Sequence, residues 1–164
     1  YCLLDNFKIN KFMNTVIKYF VSLFGIGFIP IAPGTLGSIF AIFVWYLSIK
    51  TLNIYFFYLV FVLIFLIAFK AVDIYLKSKR KEDPSEVIID EFIGQSIPLL
   101  FLIDYNLYEV LLVFCSFRFF DITKIYPIDW AEKMSGAKGV IIDDIIAGIY
   151  SLVIIMFYKI ILSI

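Results

Sequence analysis

The sequence predicts an all-α protein, a small polytopic helical bundle in a membrane, built in part from short or re-entrant helices. Three observations carry that prediction. Of the 164 residues, 63% are hydrophobic and only 17% charged, and mean hydropathy is +0.99. Soluble domains are roughly 45–50% apolar and about 25% charged, and a fold of this size cannot hide the excess from water. The uncharged runs Val21–Ile49, Thr51–Phe69 and Ile145–Tyr158 are of helical length, and no run shows the two-residue alternation of a strand. The length fits a single domain, 1–164.

The elements follow in order. Tyr1–Asn14 carries no signal-peptide pattern. In Val21–Ile49, Pro30, Pro33 and several glycines break the apolar run, which predicts a loop and then a helix over about Thr35–Ile49. That helix is short for a crossing and is expected to be tilted, re-entrant or packed on its neighbours. Thr51–Phe69, about 19 uncharged residues, is long enough to cross. Lys70, Lys77, Lys79, Arg80 and Lys81 follow it, and the positive-inside rule puts that end in the cytoplasm. Asp83-Pro84-Ser85-Glu86 has the form of a helix start, with Asp83 as N-cap, Pro at the first position and Glu86 closing a capping box. The helix runs towards Ser96, and Pro98 ends or kinks it. Further helices are predicted over about Leu107–Ile122 and Val140–Ile164, joined by a loop with Pro127 and Gly136.

Composition also excludes. Formal net charge is zero, so nothing suggests a nucleic-acid partner. There is no histidine, which removes phosphohistidine chemistry, Ser-His-Asp triads and zinc–histidine sites. Cys2 lies near the start and Cys115 in an apolar run, so no structural disulfide is expected. Cys115 and Arg118 are too close in sequence for the phosphate loop of a cysteine phosphatase.

The residues that carry chemistry are two adjacent acid pairs inside very apolar helices, Asp90-Glu91 and Asp143-Asp144. Burying a carboxylate costs several kcal/mol (order of magnitude) unless a cation compensates, so acids there are functional candidates. Gly94, Ala147 and Gly148 lie one turn on, and small residues let helices approach closely. Oxygen ligands gathered in this way suit a hard cation. The competing reading is ion pairing with lysine or arginine near the interface. Val87–Glu91 also echoes Val140–Asp144, by duplication or by convergence on an apolar helix with two acids.

A third group is Arg118, Asp121 and Lys124. Arg118 and Asp121 share a helix face and can form a plain ion pair. Alternatively, Arg118 offers a planar fork and Lys124 a point charge to a phosphate, with Asp121 as a further ligand. A fourth is the glycine-bearing loop from Gly25 to Ser38, in which Thr35 can cap the next helix and free N–H groups can hold phosphate. It lacks the Gly-Lys-Ser/Thr ending of a P-loop.

Taken together, four segments resemble the phosphatidylglycerophosphatase A family. They are Pro30-x-Ala32-Pro33-Gly34-Thr35-x-Gly37-Ser38, Asp83-Pro84-x5-Asp90-Glu91-x2-Gly94, Phe117-Arg118-x2-Asp121-x2-Lys124 and Gly139-x3-Asp143-Asp144-x2-Ala147-Gly148. They span about residues 25–151 and stand in the family's order. Two departures are Ile125, where the family often has proline, and a sparser glycine content over residues 135–139. The resemblance implies a Mg²⁺-dependent enzyme of the bacterial inner membrane. It would hydrolyse phosphatidylglycerophosphate to phosphatidylglycerol and phosphate; the clustering of basic residues puts the site on the cytoplasmic side. On that reading Asp90, Glu91, Asp121, Asp143 and Asp144 are the metal-binding and catalytic acids, and Thr35, Ser38, Arg118 and Lys124 hold the phosphate. An aspartyl-phosphate intermediate stays open.

Two other readings compete. A CDP-alcohol phosphotransferase also clusters acids on membrane helices, but its long aspartate–glycine pattern is absent. A small transporter or channel with a cation path would spread its acids along the helices, whereas here they gather near basic helix ends.

Overall fold

The computed structural model describes residues 13–79 and 84–162. Cys2, Arg80, Lys81 and the expected N-cap Asp83 lie outside the described residues. Helix α1 covers residues 13–21 and leads into a 3-10 turn at Ile26–Phe28. Then come α2 (Pro33–Thr51), α3 (Ile54–Lys79), α4 (Ile89–Leu99), α5 (Leu107–Thr123), the short α6 (Ile128–Glu132) and α7 (Ala137–Leu162). No strand occurs among the described residues. The all-helical expectation therefore holds.

Several boundaries differ from the sequence reading, each for a local reason. Helix α2 begins at Pro33, which needs no N–H in the first turn, behind Ala32 in the left-handed region (φ 46°). Thr35 is thus inside the first turn and is not the cap. With 19 residues α2 is long and apolar enough to cross a membrane, so the expected short helix is a full one. Leu52 and Asn53 separate it from α3, where the Asn53 side chain accepts the Tyr55 N–H at 3.2 Å. Helix α3 then runs through Lys70 to Lys79.

The start near Asp83 is the clearest correction. Helix α4 begins at Ile89, and Ile88, which offers no capping side chain, precedes it. Residues 84–87 form a turn instead, closed by the Val87 N–H on Pro84 O at 2.9 Å. Glu86 does not close a capping box, because its carboxylate accepts from Tyr75 Oη at 2.9 Å and sits 3.6 Å from Lys79. The Ile88 N–H is taken by Val21 O, tying the turn to the end of α1. Pro98 lies in the last turn of α4, which ends one residue later.

Three helices, α2, α3 and α7, are long and apolar enough to span a bilayer, and the chain is a membrane protein. Alternation of direction sorts its ends. The starts of α2, α4 and α7 and the finishes of α3 and α5 fall at one end. The opposite end is tied by Trp45 Nε1 donating to Leu102 O (3.0 Å), Tyr58 Oη donating to Leu100 O (2.9 Å), and Lys159 pairing with Glu109 (3.2 Å).

The short α4, with 11 residues, is the buried axis of the bundle; Ile89, Phe92, Ile93 and Leu99 are fully buried. Gly94 lets it lie directly against α7, since a Cβ there would stand 2.6 Å from the Phe117 ring and 2.5 Å from Asp144 O. Gly148 returns the contact on Gly94 O. Nearby, Ser116 and Ser151 share a buried hydrogen bond at 2.6 Å between α5 and α7. Leu59, Leu63 and Leu66 on α3 and Phe157 and Ile161 on α7 stay exposed. These outward faces suit lipid contact.

Candidate active site

Where the four helix ends meet, the N-terminal turns of α2, α4 and α7 and the C-terminal turn of α5 enclose a cavity of about 670 Å³. Asp90 and Glu91 enter from the first turn of α4, and Asp143 and Asp144 from the second turn of α7. Helix α5 arrives antiparallel, so Arg118, Asp121 and Lys124 come from its finish. All five expected acids, the arginine and the lysine line the one cavity.

Within it the acids fall into two groups. One oxygen each from Asp90, Glu91 and Asp144 lies within 4.8 Å of the others. Asp90 Oδ1, Glu91 Oε2 and Asp144 Oδ1 are buried and have no hydrogen-bond partner among the described residues. Burial raises the Asp90 pKa well above its ordinary value, and the neighbouring Glu91 charge raises it further. Three such oxygens are costly unless a cation answers them. An all-oxygen donor set of this kind fits a hard divalent ion.

The second group faces the cations, although Asp143 Oδ1 is also buried without a hydrogen-bond partner among the described residues. Asp121 stands 2.6 Å from Arg118 and 3.7 Å from Lys124. Asp143 is in direct contact with the Lys124 ammonium. Lys124 caps α5 in the left-handed region (φ 49°), its N–H on Phe120 O at 2.9 Å. Burial alone would lower its pKa; the bond and charge of Asp143 outweigh this and raise it, so the ammonium stays charged. Asp121 and Asp143 thus hold the two cations in place.

Gly34 fits this geometry. A Cβ there would run into the Glu91 carboxylate and lie 3.2 Å from Arg118 Nη1. The start of α2 therefore sits directly against both groups. Gly37 makes a similar approach, since a Cβ there would stand 2.8 Å from Ile88 O.

Thr35 and Ser38, expected at the phosphate, do not line the cavity. Ser38 is buried, and its hydroxyl donates to Gly34 O at 3.1 Å. Sequence reading missed Glu132, which lines the cavity and lies 3.6 Å from Lys124. An exposed acid on a five-residue helix carries no pattern that would single it out.

Fold and site together define a polytopic membrane enzyme that handles phosphate esters: clustered carboxylates beside an arginine and a lysine in one cavity. The chain belongs to the phosphatidylglycerophosphatase A family, which matches residues 19–159. It is accordingly a phosphatase. A protein described as phosphatidylglycerophosphatase A from Escherichia coli (strain K12) is 37% identical over 140 residues, 82% of this chain and 78% of that protein. The Haemophilus influenzae protein of the same description is 32% identical over 133 residues, covering 80% and 82%. A putative phosphatidylinositol-3-phosphatase of Bacteroides thetaiotaomicron is 36% identical over 137 residues, covering 80% and 86%. No solved structure matches.

Proposed function

We propose that this chain hydrolyses phosphatidylglycerophosphate to phosphatidylglycerol and inorganic phosphate with Mg²⁺, at the bacterial inner membrane with its site facing the cytoplasm. One observation carries the reading: a carboxylate oxygen from each of Asp90, Glu91 and Asp144 converges, with Arg118 and Lys124 lining the same cavity. Two curated relatives act, by name, on this lipid.

Asp90, Glu91 and Asp144 would hold Mg²⁺. A bound Mg²⁺ would supply Lewis-acid polarisation of the phosphoryl oxygens and lower the pKa of water. Around it the chain's own groups have separable roles. Arg118 and Lys124, held by Asp121 and Asp143, bind the equatorial phosphoryl oxygens and neutralise charge that shifts as the ester bond breaks. The N-terminal end of α2, where Gly34 lines the cavity, adds a positive helix end. The acids gather at one end of the bundle and are not strung along it, as a cation path would require.

Orientation rests on charge. Lys77, Lys79, Lys124, Lys133 and Lys138 lie at the site end, against Lys50 and Lys159 at the other. The test is phosphate release from phosphatidylglycerophosphate in detergent, with Mg²⁺ and with EDTA. Mg²⁺-dependent release supports the reading, and no release from folded, metal-loaded protein sinks it.

A further inference from the structure

The cavity is larger than a phosphate requires. Its volume of about 670 Å³ falls in the range of small-molecule sites, roughly 300–1,000 Å³. Of the three cations that line it, Arg118 and Lys124 are committed to the carboxylates at its buried end. The third, Lys133, ends α6 and has 75% of its side chain exposed. Its partner Asp129, at 3.3 Å and 41% exposed, forms a surface pair of the kind worth about 0–1 kcal/mol, so the ammonium can leave it.

The lipid named above carries two anions one glycerol apart: the terminal phosphomonoester and the phosphodiester that joins the headgroup to the diacylglycerol. With the monoester at the buried carboxylates, the diester lies outward, towards the cavity mouth. Resting on the function proposed above, we infer that Lys133 binds the substrate's phosphodiester and so selects lipids with a second phosphate between the tails and the scissile group. Lys133 acts in binding and takes no part in bond breaking. Glu132 beside it does not repel the diester strongly, because its carboxylate is half exposed and screened by solvent.

The test compares two substrates in detergent micelles with Mg²⁺: phosphatidylglycerophosphate, and dodecyl phosphate, which has an apolar tail and one phosphomonoester only. Lys133→Met and Lys133→Gln should raise KM for the first about five-fold, the scale of one exposed ion pair, with kcat within about two-fold. Lys133→Arg should restore KM, and KM for dodecyl phosphate should not move. Equal changes on both substrates, or none on either, would overturn the inference while leaving the proposed function standing. Wild-type protein that turns over dodecyl phosphate but not phosphatidylglycerophosphate would refute the proposed function and this inference with it.

Discussion

Lys124 and Asp143 form an ion pair that joins the finish of α5 to the second turn of α7 across the cavity wall. Lys124 also reaches Asp121 at 3.7 Å and Glu132 at 3.6 Å, so one ammonium connects three elements. Its removal leaves Asp143 buried without a counter-charge. Lys124→Met should cost about 1–3 kcal/mol, below the 3–5 kcal/mol of a fully buried pair because 26% of the side chain is exposed. Activity should fall at least about 100-fold, since a transition-state cation is lost as well. Thermal melting and phosphate release in detergent measure the two effects. Unchanged kcat in Lys124→Met would remove the lysine from the chemistry.

Neutralising Asp144 or Asp90 should separate stability from activity. Each carries a buried oxygen without a partner, so Asp144→Asn and Asp90→Asn relieve charge crowding in the metal-free protein. Their melting temperatures without metal should equal or exceed that of wild type. Turnover should be abolished, and the stabilisation that added Mg²⁺ gives the wild type by mass action should shrink or vanish. A wild-type Mg²⁺ shift in both variants would exclude these acids as ligands.

Gly34 allows a sharper test, because its replacement adds or removes no charge and deletes no metal ligand. A methyl group there collides with the Glu91 carboxylate. Gly34→Ala should cut kcat at least about ten-fold through misplacement of Glu91, and should weaken the Mg²⁺-induced thermal shift. As a control, Ala147 is buried on α7 one turn from Asp143. Ala147→Gly should cost about 1 kcal/mol in helix propensity and leave the Mg²⁺ shift intact. Equal behaviour of the two variants would show that the Gly34 contact has no special part.

Much of this was legible before the structure. Acids inside apolar helices stand out because burial is costly, and Asp90, Glu91, Asp143 and Asp144 do converge. What sequence could not give was their division of labour. Asp121 and Asp143 resemble the other acids in composition, yet each faces a cation, because α5 runs antiparallel to α4 and α7. Helix starts were the weakest reading. Pro84 and Glu86 carry a capping pattern, but Tyr75, eleven residues upstream on α3, claims the Glu86 side chain. Ser38 misled for a related reason, since a hydroxyl inside a helix can be satisfied by the carbonyl one turn back.

That Tyr75–Glu86 contact carries a pH prediction outside the active site. Burial alone would raise the Glu86 pKa. The bond from its own backbone N–H, then Tyr75 and Lys79, outweigh it and hold the group below its ordinary 4.5. The folded protein therefore binds fewer protons at Glu86 than the unfolded chain does. Its stabilising contribution is present above pH 4.5 and disappears as pH falls through the lowered folded value. Glu86→Gln cannot titrate, so it should be less stable than wild type by roughly 1 kcal/mol at neutral pH. The two melting curves should converge under acid. A gap that persists at low pH would mean that the turn over residues 84–87 is held by shape and not by the charge of Glu86.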